Sequence, residues 1–154
     1  MTEPTKGAFV GLEHHMDLRV YYEDTDTAQI VYYANYLRYT ERARTEILRL
    51  LGIDQFVLMT LPEDQRISFA VKRCDMDYVQ PARLDDVVTV KSSLTAVRGA
   101  SMDMKQDIWR GDDLLFKSNV QAACLNSKGA PTRMPADFVK KARKFLPLNE
   151  TKGA

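Results

Sequence analysis

The sequence predicts an α+β protein in which a mainly antiparallel sheet of five strands wraps around one long central helix. Three observations carry that expectation. An alternating run from Met16 to Tyr22 is followed, after an acidic loop, by an apolar stripe of helical period that reaches Leu51. Four further alternating runs then occupy most of residues 67–124. Only one more helical pattern comes after them, so a single amphipathic helix has to bury its stripe, and a curved sheet is the economical partner.

Residues 1–13 mix Gly, Pro, Thr and charge without periodicity and read as a flexible tail, with one domain over 14–147 and a second tail over 148–154. His14 and His15 are neighbours whose side chains diverge on either a strand or a helix, so they read as solvated residues of the tail and not as a metal pair. In the first strand Met16, Leu18, Val20 and Tyr22 share one face. Asn35 is a residue type suited to an N-cap, and from it Tyr36, Thr40, Ala43, Ile47 and Leu50 or Leu51 recur at spacings of three and four. Arg38, Glu41, Arg42, Arg44, Glu46 and Arg49 fill much of the remaining helix surface, which reads as solvated or turned toward another subunit. Gly52 stands where a glycine ends a helix.

Residues 53–66 read as a loop with one short helical turn. Ile67, Phe69 and Val71 alternate in one phase and Cys74, Met76 and Tyr78 in the other, so a bulge is expected near Lys72 and Arg73, and Pro81 stops the strand. Val88 to Ala96, Met102 to Ile108 and Leu114 to Cys124 follow as strands, separated by Arg98-Gly99 and by Arg110-Gly111-Asp112-Asp113. Pro135 can open a last helix in which Phe138, Val139, Ala142 and Phe145 share a face. An open sheet leaves edges unless it meets a second copy, so a homo-oligomer is expected, either a dimer or a homotetramer.

Composition excludes several functions. With 22 Lys+Arg against 21 Asp+Glu the net charge is +1, and no bulk field argues for nucleic acid or a membrane surface. No run approaches the ~18 apolar residues that span a bilayer, and the first residues lack the basic start and apolar core of a signal peptide. Cys74 and Cys124 show neither metal-ligand spacing nor the density of a disulfide scaffold, which suits buried thiols in a cytoplasmic protein.

The chain has no Gly-rich phosphate loop, no G-x-S-x-G elbow and no His-rich metal motif. With its two histidines placed in the tail, a Ser or Cys nucleophile has no evident base, which turns attention to carboxylates. Glu23, Asp24 and Asp26 form the densest acidic cluster ahead of a helix. Such a cluster fits a polar turn that stabilises the helix start. That is the reading composition favours, and the same geometry also allows a site where helix N–H groups polarise a carbonyl while a carboxylate attacks it or activates water.

The run Tyr21-Tyr22-Glu23-Asp24-Thr25-Asp26, with Ile30-Val31-Tyr32-Tyr33-Ala34-Asn35-Tyr36 and Tyr39-Thr40-Glu41-Arg42-Ala43-Arg44, resembles the signature of the hot-dog-fold acyl-CoA thioesterases. Within them it is most similar to the 4-hydroxybenzoyl-CoA thioesterase type and the Tol-Pal-associated acyl-CoA thioesterases. The resemblance implies a hot-dog fold and hydrolysis of acyl-CoA, or acyl-thioester binding without hydrolysis on the same fold, with no cofactor and no metal. It assigns Asp26 as the catalytic carboxylate, nucleophile or general base, and the backbone N–H of Tyr33 as the oxyanion donor. It places the phosphates of CoA against Arg98, Ser101 and Lys117, with Lys72 and Arg73 as weaker candidates, and the pantetheine arm in a groove between subunits. One departure is Gln29, where the family often has Gly. A dehydratase of the same fold is disfavoured, because such sites use a histidine.

Overall fold

The long helix of residues Asn35–Leu50 packs on one face of a single antiparallel sheet, as the patterning predicts. The computed structural model describes residues 7–148, so the expected tails fall outside the described residues at 1–6 and 149–154. In chain order the elements are β1 (Ala8–Val10), β2 (Glu13–Arg19), α1 (Asn35–Leu50), α2 (Gln55–Met59), β3 (Ile67–Tyr78), β4 (Val87–Val97), β5 (Ser101–Arg110), β6 (Asp113–Asn126) and α3 (Ala136–Arg143). Their spatial order is β1-β2-β4-β5-β6-β3, and every pairing is antiparallel.

Among the described residues the sheet therefore has six strands, one more than the five expected. The extra strand, β1, lies in the segment read as a tail and pairs Ala8, Phe9 and Val10 with His15, His14 and Glu13. Three residues are too few to show a period, which is why β1 has no signature. The same pairing corrects the reading of the histidines. His14 is fully buried, with its ring edge-on to Phe9 at 5.4 Å, whereas His15 points to the other face and meets Glu13 at 2.6 Å.

Helix α1 buries Tyr36, Tyr39, Thr40, Ala43, Ile47 and Leu48, followed by Leu51; Leu50 is exposed. It ends in a Schellman arrangement. Gly52 takes φ +94° and its N–H donates to Arg49, while the Ile53 N–H donates to Leu48. Asn35 is not the cap. Ala34 holds that position without a side-chain bond, and Asn35 instead sends its Nδ2 to the Asp24 carbonyl at 2.8 Å.

Two apolar clusters pack under α1. Tyr36, Tyr39 and Ala43 meet Val88, Val90, Ile108 and Phe116 beneath its first half, and Ile47, Leu48 and Leu51 meet Leu94, Met102, Met104 and Phe138 beneath its second. A polar layer separates them: Gln106, fully buried, donates to the Thr40 carbonyl and to Ser92 Oγ, each at 3.0 Å. Arg44 completes this layer by donating to Gln106 Oε1 at 2.9 Å, so it departs from the solvated face expected for the charged residues of α1. Burial lowers its guanidinium below the ordinary value. A bulge interrupts β3 between Val71 and Arg73, where the change of phase predicts it.

Candidate active site

The acidic segment folds as a small closed loop. Thr25 and Val31 face each other in an isolated antiparallel bridge. Inside it the Asp26 N–H donates to Ile30 at 3.0 Å and the Gln29 N–H to Asp26 at 2.9 Å, with Gln29 at φ +66°. Asp26 turns its Oδ1 back to the Ala28 N–H at 2.8 Å, an Asx turn that fixes the carboxylate plane. No protein donor among the described residues reaches its Oδ2.

The neighbouring acids have different work. Asp24 accepts the Tyr21 N–H through Oδ2 at 2.8 Å, and its carbonyl receives the Tyr32 N–H at 2.9 Å, so it braces the turn. Glu23 is exposed and lines neither of the cavities that meet at Asp26.

A second loop, residues 79–86, holds the first in place. The Val31 N–H donates to the Ala82 carbonyl at 2.8 Å, Ile30 bridges Arg83, and the Ala82 N–H donates to Tyr36 Oη at 3.0 Å. Asp86 anchors this loop by accepting from Arg110 at 2.8 Å and from the Arg83 N–H at 2.9 Å. Burial alone would raise the Asp86 carboxyl, but these hydrogen bonds and the two nearby guanidinium charges carry it below the usual carboxylate range. Sequence reasoning passed over this loop, reading Pro81 only as the end of a strand. Its signal was the acidic pair Asp85-Asp86 following Arg83 at the mouth of a strand.

Asp26 stands between two concavities. One, of about 360 Å³, is apolar and aromatic, walled by Ile30, Tyr32, Tyr33, Tyr36, Tyr78 and Pro81. The other is more polar and carries Thr25, Thr27, Gln29 and Arg83. Tyr33 chiefly lifts the Tyr32 phenol above its ordinary value, and the Asp26 carboxylate acts in the same direction, which sets that charge close to the aromatic wall. The entry to α1 adds free donors: among the described residues the N–H groups of Tyr33 and of the cap residue Ala34 reach no protein acceptor.

The structure thus brings Asp26 and Tyr33 to one cavity. It also places Arg98 beside Ser101, 3.4 Å apart at the β4–β5 turn, but Arg98 is held by Asp103 in a bidentate pair at 2.9 and 2.8 Å. The Asp103 carboxyl is lowered chiefly by those bonds. Lys117 does not join them. It lies on β6, in register with Asp107 and Asp77, and on the sheet face opposite the inward-facing Phe116. Lys72 and Arg73 sit at the bulge of the β3 edge, with Arg73 3.3 Å from Asp75. β4 runs through 11 residues between the 79–86 loop and the Arg98 turn, which at ~3.3 Å per residue separates them by roughly 30 Å.

Among the described residues no group of three or more His, Cys, Asp and Glu is arranged to hold a metal ion, and no helix is long and apolar enough to cross a membrane. Cys74 is half-buried and Cys124 buried, and both are free thiols.

Comparison with known proteins gives this geometry a context. The model of the thioesterase superfamily matches residues 28–117. The acyl-CoA thioesterase YbgC of Haemophilus influenzae is 41% identical over 121 residues, which cover 78% of this chain and 87% of that protein. The acyl-CoA thioester hydrolase YbgC of Escherichia coli O6:H1 is 38% identical over 124 residues, covering 79% and 90%. The crystal structure of a probable thioesterase from Bartonella henselae superposes with a TM-score of 0.76 at 34% identity, covering 80% of this chain and 99% of that one.

Proposed function

The chain belongs to the thioesterase superfamily, and from that premise we infer that it hydrolyses acyl-CoA to a free carboxylic acid and CoA, with Asp26 as its essential carboxylate. The observation that carries this reading is the free Oδ2 of Asp26, set beside an aromatic cavity and the unspent N–H groups at the start of α1. The acyl group enters the aromatic cavity. The thioester oxygen takes a hydrogen bond from the Tyr33 N–H as charge develops on it. Asp26 either attacks the carbonyl carbon or draws a proton from an attacking water. The C–S bond then breaks, the thiolate of CoA leaves and is protonated, and water supplies the oxygen of the acid.

Arg98 and Ser101 are kept as contacts for the phosphates of CoA, but from a second copy of the chain, since their own Asp26 lies roughly 30 Å away. Strand β3 offers the means. Among the described residues its outer edge has no partner in the sheet order, and two such edges paired antiparallel bring the Tyr78 end of one copy against the Ile67 end of the other. The β4–β5 turn lies near that end, because Ser101 aligns with Ala123 and Ala123 with Ala70. Lys117 and a tetramer of two such dimers extend the same proposal, as does a cytoplasmic location, where CoA thioesters are made and used.

A thiol-release assay over a panel of acyl-CoAs tests the reaction. Asp26→Asn is expected to lose at least 10²-fold in kcat while melting like the wild type and still binding CoA. Undiminished turnover by that variant overturns the assignment, and wild-type protein that binds acyl-CoA but frees no thiol reduces the function to binding.

A further inference from the structure

We propose that the start of α1 offers two peptide N–H groups to the thioester oxygen, those of Tyr33 and Ala34, and that Tyr78 is the residue that positions the second. The inference rests on the hydrolytic reading above and extends its oxyanion site.

In a trans peptide the carbonyl and the N–H point in opposite directions, so whatever grips the carbonyl aims the N–H. The Tyr33 N–H shares its peptide with the Tyr32 carbonyl, which accepts from the Asn35 N–H at 2.8 Å. The Ala34 N–H shares its peptide with the Tyr33 carbonyl. That carbonyl is passed over by the helix, because the Leu37 N–H donates to Ala34 at 3.2 Å. Tyr78 supplies the missing donor: its Oη–H reaches the Tyr33 carbonyl at 2.9 Å. Both peptides at the helix start are therefore held by their oxygens, with both N–H groups left unspent at the positive end of the helix dipole.

Tyr78 is well placed for this duty. It is the last residue of β3, and its ring meets Tyr36 at 5.5 Å, Phe116 at 5.3 Å and Tyr33 at 6.3 Å, each edge to face. Tyr78 is 47% exposed, and the three ring contacts on its inner side hold the hydroxyl toward the Tyr33 carbonyl. Among the described residues its one other hydrogen-bond partner is Met76 Sδ at 3.5 Å, a weak acceptor. Burial pushes the Tyr78 phenol above its ordinary value, so the hydroxyl remains a donor at neutral pH. A hydrogen bond received by the carbonyl also polarises the peptide and strengthens the N–H at its far end.

Two variants test the inference by thiol release. Tyr78→Phe keeps the ring and removes only the hydroxyl. It is expected to lower kcat roughly tenfold with KM within about twofold, since the substrate is bound as before and only a donor is misaligned. Ala34→Pro deletes the second N–H at a residue whose φ is −74°, but it stands third in the Tyr32–Asn35 turn, where proline strains the Tyr33 backbone, so its expected loss in kcat, on the order of 10²-fold, counts only beside a wild-type melt. Thermal melts should match the wild type; if Ala34→Pro melts early, Tyr78→Phe decides alone. An unchanged kcat in a folded variant overturns the proposal, as does a Tyr78→Phe loss confined to KM, which would make the hydroxyl a substrate contact. Absence of thiol release from the wild type overturns the hydrolytic reading itself, an outcome read before either variant is made.

Discussion

At Gln29 the backbone takes φ +66°, a conformation that costs a residue with a Cβ about 1–2 kcal/mol and glycine little. The loop accepts that cost because the bonds from the Asp26 N–H to Ile30 and from the Gln29 N–H to Asp26 close only in this geometry. Gln29→Gly removes the strain but adds chain entropy to the unfolded state, so a net gain of up to about 1 kcal/mol is expected, seen as a rise of roughly 2–4 °C in Tm. A lower Tm would mean that the side chain stabilises the loop more than its backbone strains it. Residue by residue, composition and spacing marked the acidic cluster but not the division of labour inside it, and the family resemblance alone singled out Asp26. Asp24 and Asp26 are separated by one residue and have the same chemistry. They differ in what their carboxylates already hold, a turn N–H at Tyr21 in one case and an Asx turn with a spare oxygen in the other.

The loop of residues 79–86 is the element on which the site depends, and its anchor is the Asp86–Arg110 pair. A carboxyl held below its unfolded value of ~3.9 contributes stability that is present above that value and is lost as pH falls through the folded value. Asp86→Asn should therefore melt below the wild type at neutral pH, and the gap between them should close as the pH drops below about 4. It should also lower kcat, because the Ala82 bonds to Val31 and Tyr36 position the acidic loop. A gap in Tm that is constant with pH would show that the charge of Asp86 contributes nothing. Elements with a long period were legible: the stripe of α1, the glycine stop at Gly52 and the phase change at the β3 bulge all follow from local spacing. β1 was not, because three residues carry no period. The 79–86 loop was not, because its role lies in backbone bonds to residues about fifty positions earlier.

At the scale of the whole molecule, strand order was the part that spacing could not supply. β3 follows α1 and α2 in the chain, yet it pairs with β6 and occupies the far edge. Side-chain alternation tells which face of a strand is buried but not which strand lies beside it. That order is what leaves the outer edge of β3 without a partner among the described residues and puts the Arg98 turn at the far end of the sheet from Asp26, so a site using both must be shared between two copies. Co-expression of two damaged chains tests this. Asp26→Asn lacks the carboxylate, and Arg98→Glu sets a negative charge where the phosphates of CoA would lie. Each homodimer is expected to be nearly inactive with CoA substrates at low concentration. A mixed dimer gathers both lesions into one of its two sites and leaves the other whole. With random pairing half the dimers are mixed, so about a quarter of wild-type activity should return. If activity does not return although mixed dimers form, the carboxylate and the turn serve the same copy or the turn does not meet CoA, and the shared site is wrong. Recovery near a quarter would establish both the twofold assembly and the path of CoA across it.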